Sequence, residues 1–465
     1  MKADRRPGGQ AVRAAFLVAV LLSASPPVRL SAQERPLGTM REQAEVQQQW
    51  LQYRLDSILP GLMRQYDVQM WIVDCREYNE DPVFFAIVSP TTFACRRRTI
   101  YVFNDRGPGR PIERLALGGS SQGGLFEAVR DTAVSVANPA VSGRGGELVG
   151  AGQWQLLRRV VEARNPRTIA LDISDTHAFA DGLSAGEYLA MQQALGPELM
   201  RRVKRAELLA LDYIARRPPA MEATYRRLQE MAWDIIGTAF SSRVITPGRT
   251  TTEDVAWYTR QRLNELGVGT WFQTDVDIQR RGVDDPSSLG DNPVILPGDV
   301  LHIDFGVSAM GLKTDTQHMA YVLRSGETDA PPGLKAALLN SNRLQDIVMR
   351  ELRPGRTGNQ VLAASQAAMR SSGITGTVYS HPIGDHGHGA GPLIGLWDHQ
   401  EGVPGRGDVP VIANTWFSIE LEARTPVAEW GGQVVKSAQE EDAVVAADGT
   451  THWALRRQTE FWLIR

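Results

Sequence analysis

The sequence predicts an α+β protein of two domains, a smaller α/β unit followed by a larger α+β unit that carries the chemistry. Its 465 residues exceed what one domain ordinarily holds. Strand-length apolar runs alternate with helical periodicity up to about residue 195, as in an α/β layer. From about residue 200 helices come in pairs between hairpins, and the acids and histidines that flank apolar strands gather there. These observations place the domains at 36–195 and 200–465.

At 42% hydrophobic and 22% charged residues, with a formal net charge of -3, the composition is that of a globular protein. Nothing in that balance calls for nucleic acid or an anionic membrane as a partner. Lys2, Arg5, Arg6 and Arg13 precede the apolar run 14–22, and Leu30-Ser31-Ala32 follows as a small-residue site. The pattern is that of a secretory signal over 1–32, cut near Ala32. The run falls well short of the ~20 apolar residues that span a bilayer. The mature chain is therefore expected to be exported, periplasmic or extracellular, and free of the membrane. Cys75 and Cys95 are the only cysteines. An oxidising compartment would let them pair if their strands are neighbours, and the sequence leaves that open.

In the first domain, residues 41–66 have helical spacing, with Trp50, Leu51, Leu55, Ile58, Leu59 and Leu62 as the apolar stripe. Strands are expected at 68–73, 83–88, 99–103 and 168–172, and 104–124 reads as an exposed loop. The glycines at 118–119 and 143–146 lack phosphate-loop spacing and read as turns. Residues 187–240 are expected to be mostly helical, with Arg201, Arg202, Lys204 and Arg205 on a solvated face. Helices follow at about 252–266, closed by Gly267, then at 332–352 and 359–371.

The stretch 300–322 reads as two strands joined by Ser308-Ala309-Met310-Gly311. A turn centred between Ala309 and Met310 would set Asp304 directly opposite Asp315. Like charges that close repel unless a cation lies between them. Four of the eight histidines, His381, His386, His388 and His399, fall within SHPIGDHGHGAGPLIGLWDHQ, among glycines that let the backbone approach closely. Beyond them, Glu420 and the pair Glu440-Glu441 each lie in an apolar strand.

Together these residues resemble the pita-bread family of creatinase, aminopeptidase P, prolidase and methionine aminopeptidase. The family pattern is an Asp, a second Asp eleven residues later, a His in Gly-His-x-x-Gly, and two Glu on successive strands. Asp304 and Asp315, eleven apart, His388 in Gly387-His388-Gly389-Ala390-Gly391, Glu420 and Glu440 match it in order. His386 is the alternative imidazole and Glu441 the alternative carboxylate. The resemblance covers about 201–465. It implies a pita-bread catalytic domain preceded by a creatinase-type N-terminal domain, and a homodimer.

The resemblance also implies a metal-dependent exopeptidase that hydrolyses the N-terminal residue of Xaa-Pro peptides, with a metal-bridging water as nucleophile. Asp304, Asp315, His388, Glu420 and Glu440 would hold two divalent ions. Four carboxylates and one imidazole suit Mn²⁺, with Co²⁺ or Zn²⁺ as alternatives. Glu420 would also shuttle the proton, and His399 would stabilise the oxyanion, with His381 a second candidate. The alternatives are a creatinase-like hydrolase or lyase of small non-peptide molecules, and a metal-free protein-binding module.

Departures from the pattern bear on the pocket. Glu420-Leu421-Glu422 replaces Glu-Pro-Gly, and Thr316-Gln317-His318 replaces x-Thr-Arg. Asp277-Ile278-Gln279-Arg280 has no substrate-side His. His388 and His399 are eleven residues apart where the family has about seven.

Overall fold

The computed structural model describes residues 35–95, 98–129, 151–385 and 387–465. The expected signal segment, the glycines at 143–146 and the alternative ligand His386 lie outside the described residues. The expected α+β architecture is what the structure shows. Among the described residues, no helix is long and apolar enough to cross a membrane.

Among the described residues, the first domain is built on a six-stranded sheet of β1 (Met70–Arg76), β2 (Arg98–Asn104), β3 (Glu113–Leu117), β4 (Glu127–Val129), β5 (Ile169–Leu171) and β6 (Val203–Arg205), ordered β4-β3-β2-β1-β5-β6. The pairs β1/β2 and β2/β3 are antiparallel, whereas β1/β5, β3/β4 and β5/β6 are parallel. Three expectations are corrected here. The run at 83–88 is a short helix, Phe84–Ile87, because Asp81 Oδ1 accepts from the Val83 N–H at 2.8 Å. Burial of Val83, Phe84, Ile87 and Val88, with Phe85 outside, follows helical rather than alternating spacing. The loop expected at 104–124 contains β3. Arg202 to Arg205, expected on a helical face, lie at and in the edge strand β6, so the first sheet extends past residue 195.

Cys75 on β1 and Cys95 are both buried free thiols. Burial and the neighbouring Cys95 push the Cys75 thiol upward.

The second domain is a nine-stranded sheet. Its strands are β7 (Asp275–Gln279), β8 (Val300–Phe305), β11 (Thr316–Val322), β12 (Thr375–Val378), β13 (His381–Pro382), β14 (Thr415–Val427), β15 (Gln433–Val445), β16 (Thr451–Trp453) and β17 (Trp462–Ile464). Between β8 and β11 a separate hairpin pairs β9 (Ser308–Ala309) with β10 (Leu312–Lys313). The main path runs β12-β14-β15-β11-β8-β7, with every pair along it antiparallel.

Alternation divides this sheet into two faces. Leu301, Ile303 and Phe305 pack with the helices Met221–Ala239 and Thr252–Leu266. Phe417, Ile419 and Leu421 pack with Pro332–Glu351 and Gly358–Ser371. The intervening residues, His302, Asp304, Ser418, Glu420 and Glu422, are left for the opposite face. The helix at 252–266 starts at a capping box between Thr251 and Asp254 and ends at Gly267, whose φ of 69° is left-handed.

The domains meet at a buried charge cluster. Arg54 Nη2 and Arg217 Nη1 lie 2.6 and 2.9 Å from Asp385 Oδ2, with both arginines 3% exposed. Arg54 comes from the first domain, and Asp385 belongs to the loop between His381 and His388. Arg217 Nη2 also donates to the Ile383 carbonyl at 2.9 Å and its guanidinium stacks on Trp416. Removing one partner of a buried ion pair leaves an uncompensated charge, at a cost of about 3 kcal/mol or more. Arg217→Ala is therefore expected to lower the urea midpoint by that equivalent, measured by fluorescence-detected unfolding.

Candidate metal centre

The hairpin turn falls one residue later than the sequence implies. Ala309 pairs with Leu312, and the turn residues Met310 and Gly311 both have positive φ, 54° and 79°. That combination defines a type I′ turn, whose twist matches a hairpin. Moving the turn by one residue moves the register by two. Asp304 consequently faces Gln317, not Asp315. A shift of two preserves the face, so both aspartates still point to the same side.

The registers of five strands then line up one transverse row. Glu420 on β14 pairs with Glu440 on β15, Glu440 with Gln317 on β11, Gln317 with Asp304 on β8, and Asp304 with Asp275 on β7. A second row lies two residues along: His381 pairs with Ser418 and Ser418 with Asp442, whose Oδ2 accepts from the Asp315 N–H at 3.1 Å. Glu441, one residue from Glu440, points to the other face. There it accepts from His318 Nε2 at 2.8 Å, the Gln458 N–H at 3.0 Å and Trp233 Nε1 at 3.2 Å. Trp462 Nε1 donates to His318 Nδ1, which fixes Nε2 as the protonated nitrogen. Of the two adjacent glutamates, Glu440 faces the cluster.

His381 sits at the centre of the acids. Its Nε2 is 3.0 Å from Glu440 Oε1, 3.6 Å from Asp315 Oδ2 and 3.7 Å from Glu420 Oε2. Its Nδ1 lies 2.9 Å from the Pro382 carbonyl oxygen, which can only accept, so Nδ1 carries a proton. In the neutral ring Nε2 then presents a lone pair to three carboxylates. A proton or a metal ion must lie between them, and a ring nitrogen braced on a carbonyl while the other faces acids is how a metal-binding histidine is oriented.

The carboxylates make the same demand. Among the described residues, Oδ1 of Asp304 and Oδ1 of Asp315 are buried and find no hydrogen-bond partner. Burial, then Glu440, lifts Asp304 to about 7. Burial and neighbouring carboxylates push Asp315 and Glu420 well above the usual range. Burial lifts Asp442 to about 8, against the hydrogen bond from Tyr225 Oη at 2.6 Å. Burial disfavours the His381 cation, yet Glu440 and the Pro382 carbonyl hold its pKa above the ordinary value.

Three sets of side chains bring ligand atoms within 4.8 Å of one another: Asp304, Asp315 and Glu440; His381, Glu420 and Glu440; and Asp315, His381 and His388. The sets share members, so they form one connected cluster. Oxygen-rich donors with one or two imidazoles fit hard or borderline divalent cations.

Two histidines stand elsewhere than the sequence suggests. His381, expected in a supporting role, occupies the central position, while His388 lies beside it with ring centroids 4.5 Å apart, its other side against Trp271 at 5.0 Å. His399 is not brought to the cluster. It sits in a reverse turn bridged to Leu396, 63% exposed, with Nδ1 3.1 Å from Asp398 Oδ1. The chain reverses at the cavity rim, so Leu396 and Trp397 line the cavity and His399 faces solvent. The seven residues from His381 to His388 match the spacing that the interval to His399 lacks. That spacing was the available signal.

The cluster opens into a cavity of about 810 Å³. One wall is apolar, formed by Tyr379, Leu393, Leu396 and Trp397, and charged groups approach from Asp275, Asp277, Glu422, Arg406 and Lys436. Sequence reasoning missed His302 and Gln317, which also line it. Both follow from alternation, each two residues from an expected ligand.

A buried acid cluster braced on an antiparallel sheet, with a central imidazole and an adjoining cavity, is a site built to hold divalent cations. Residues 223–448 match the model for metallopeptidase family M24, and this domain belongs to that family, the pita-bread metallopeptidases. Solved structures share the fold across both domains. The X-Pro aminopeptidase from Thermotoga maritima MSB8 is 17% identical with a TM-score of 0.59, the match covering 87% of this chain and 99% of that one. The Xaa-Pro dipeptidase from Bacillus anthracis is 15% identical at 0.53, covering 91% and 100%. The N-terminal domain of the FACT complex subunit SPT16 from chickpea, Cicer arietinum, is 14% identical at 0.54, covering 90% and 99%. A search of curated proteins finds no match.

The pKa directions set a pH dependence. Asp304 and Asp442 bind protons more tightly folded than unfolded, so the ion-free fold is stabilised at low pH. That stabilisation is lost as pH rises from about 4 through 7 to 8, and the raised pKa of His381 acts in the same sense. Chelator-treated protein is expected to melt at lower temperature at pH 8 than at pH 5.5. Added Mn²⁺ should raise the melting temperature more at pH 8, as scanning fluorimetry would read.

Proposed function

We propose that the protein is a metal-dependent exopeptidase that releases the N-terminal residue of Xaa-Pro peptides, working with two divalent ions, Mn²⁺ foremost. The observation that carries this reading is the His381 ring, braced on a carbonyl with its bare nitrogen among acids that leave buried oxygens unpaired. Asp304, Asp315, His381, Glu420 and Glu440 would hold the ions, so His381 takes the place expected of His388. When bound, such ions polarise the scissile carbonyl and acidify a water.

The chain's own groups supply the rest. Glu420, at the cavity side of the row, accepts the proton and returns it to the leaving amine. His388, pulled down to about 4 by its partial enclosure and by His381 beside it, is neutral at working pH. A neutral imidazole still donates one N–H, and His388 offers it to the developing oxyanion, the role expected of His399. The apolar wall of Tyr379, Leu396 and Trp397 suits a compact ring such as proline. The basic-then-apolar N-terminal segment supports action outside the cytoplasm.

A second reading, hydrolysis of a small non-peptide amide or amidine, is favoured by the altered cavity wall, where Asp275, Asp277 and Gln317 stand. A third, metal-free protein binding, rests on the likeness to the SPT16 domain.

Assay of metal-loaded protein on an Xaa-Pro dipeptide, an Xaa-Pro tripeptide and a panel of amidines, with metal content measured in parallel, separates the three. Cleavage of the Xaa-Pro peptides is expected; amidine turnover alone would establish the second reading, and metal-free inactive protein the third. Asp315→Asn and His388→Ala should each lower kcat/KM by about 100-fold or more. His399→Ala should change it by no more than about twofold, as for an exposed side chain with no tie to the site.

A further inference from the structure

Gln317 occupies the middle of the acidic row, 3% exposed, between Glu440 on one side and Asp304 on the other. Its Nε2 donates to Glu420 Oε1 at 2.6 Å and Glu440 Oε2 at 2.8 Å, with Asp304 Oδ2 further off at 3.4 Å. An amide nitrogen has two hydrogens, which accounts for two short contacts and one long. Gln317 Oε1 accepts from His302 Nε2 at 2.9 Å, and His302 Nδ1 lies 3.6 Å from Asp277 Oδ2. This partner fixes the amide, because turning it over would set its oxygen against three carboxylates.

Two of the three potential ion-holding sets are affected. Asp304, Glu440 and Glu420 each commit one oxygen to Gln317, whereas neither Asp315 nor His381 hydrogen-bonds to it. The amide partly satisfies the row but, being neutral, cannot cancel its charge.

Resting on the reading that the cluster holds divalent ions, we propose that Gln317 is a built-in competitor for one of them. In the ion-free protein its amide hydrogens take the oxygens that an ion between Asp304 and Glu440 requires, and that ion binds by displacing them. Asp315 and His381 make no such contact with the amide, so the ion they hold meets no competition and fills first, and the two binding steps are unequal. Hydrogen bonds to charged groups are strong enough that giving up one of them weakens the second step by about tenfold or more. His302 and Asp277 are positioning residues that hold the competitor in place.

The test is a titration of chelator-treated, dialysed full-length protein with Co²⁺, followed by visible absorbance, and with Mn²⁺, followed by calorimetry. Wild type should take up two ions in steps at least about tenfold apart. Gln317→Thr should tighten the second step by about tenfold and leave the first unchanged. His302→Phe, which frees the amide to turn, should tighten it by a smaller factor, and this variant decides the matter if Gln317→Thr does not fold. A second step unchanged or weakened in the variant that folds would overturn the inference while leaving the metal centre intact. Wild type that binds no divalent ion would overturn the inference together with the metallopeptidase reading.

Discussion

Everything at the centre of this protein depends on a repulsion that the sheet enforces. Antiparallel registers between β14, β15, β11, β8 and β7 hold Glu420, Glu440, Asp304 and Asp275 in one line, with only Gln317 between them. Directly opposed like charges destabilise a sheet, and burial multiplies the cost by removing the water that would screen them. The neighbouring groups are arranged to answer that cost. Ser418 Oγ donates to Glu440 Oε1 at 2.6 Å, and Tyr225 and Gln229 donate to Asp442 Oδ2. His381 is oriented by a backbone carbonyl so that it can hold a cation against the acids. Among the described residues the Oδ1 atoms of Asp304, Asp315 and Asp442 remain unanswered, and a divalent ion among the acids would answer that charge.

The same sheet explains why the opposite face can be ordinary. Leu301, Ile303 and Phe305 bury themselves against helices, and the packing they contribute helps the row on the other side persist. Glu441 and His318 show how differently a buried acid and imidazole behave when fully paired. Trp462, Trp233 and Gln458 satisfy them, and burial and nearby cations pull His318 down to about 3, leaving it neutral. The Glu441–His318 pair is satisfied internally, whereas the row on the opposite face leaves carboxylate oxygens open.

The first domain meets the site at the Asp385 loop and at residues 176–179, which share a small cavity with His388 and Arg406. Arg54 and Arg217 converge on Asp385, Lys313 Nζ donates to the Asp385 carbonyl at 2.5 Å, and Gly384 has no side chain because a Cβ would strike Arg217. This clamp holds Ile383 and Asp385, close to His381, while Trp271 and Arg406 hold His388.

The fold class, the family of the C-terminal domain and the four carboxylates that meet are legible along the chain, because ordered spacing and alternation are one-dimensional signals. Capping residues and Gly267 marked the helix at 252–266 for the same local reason. Tertiary structure alone decided what depends on register and on where a loop turns. The type I′ turn at Met310-Gly311 moved Gln317, rather than Asp315, opposite Asp304. The path of the chain beyond Gly391 put His381 at the centre and sent His399 to solvent. A short apolar run such as 83–88 has no intrinsic preference strong enough to choose strand over helix, so its packing in the core decides. Local rules fix what a residue can be next to along the chain; only closure of the sheet fixes what lies across from it.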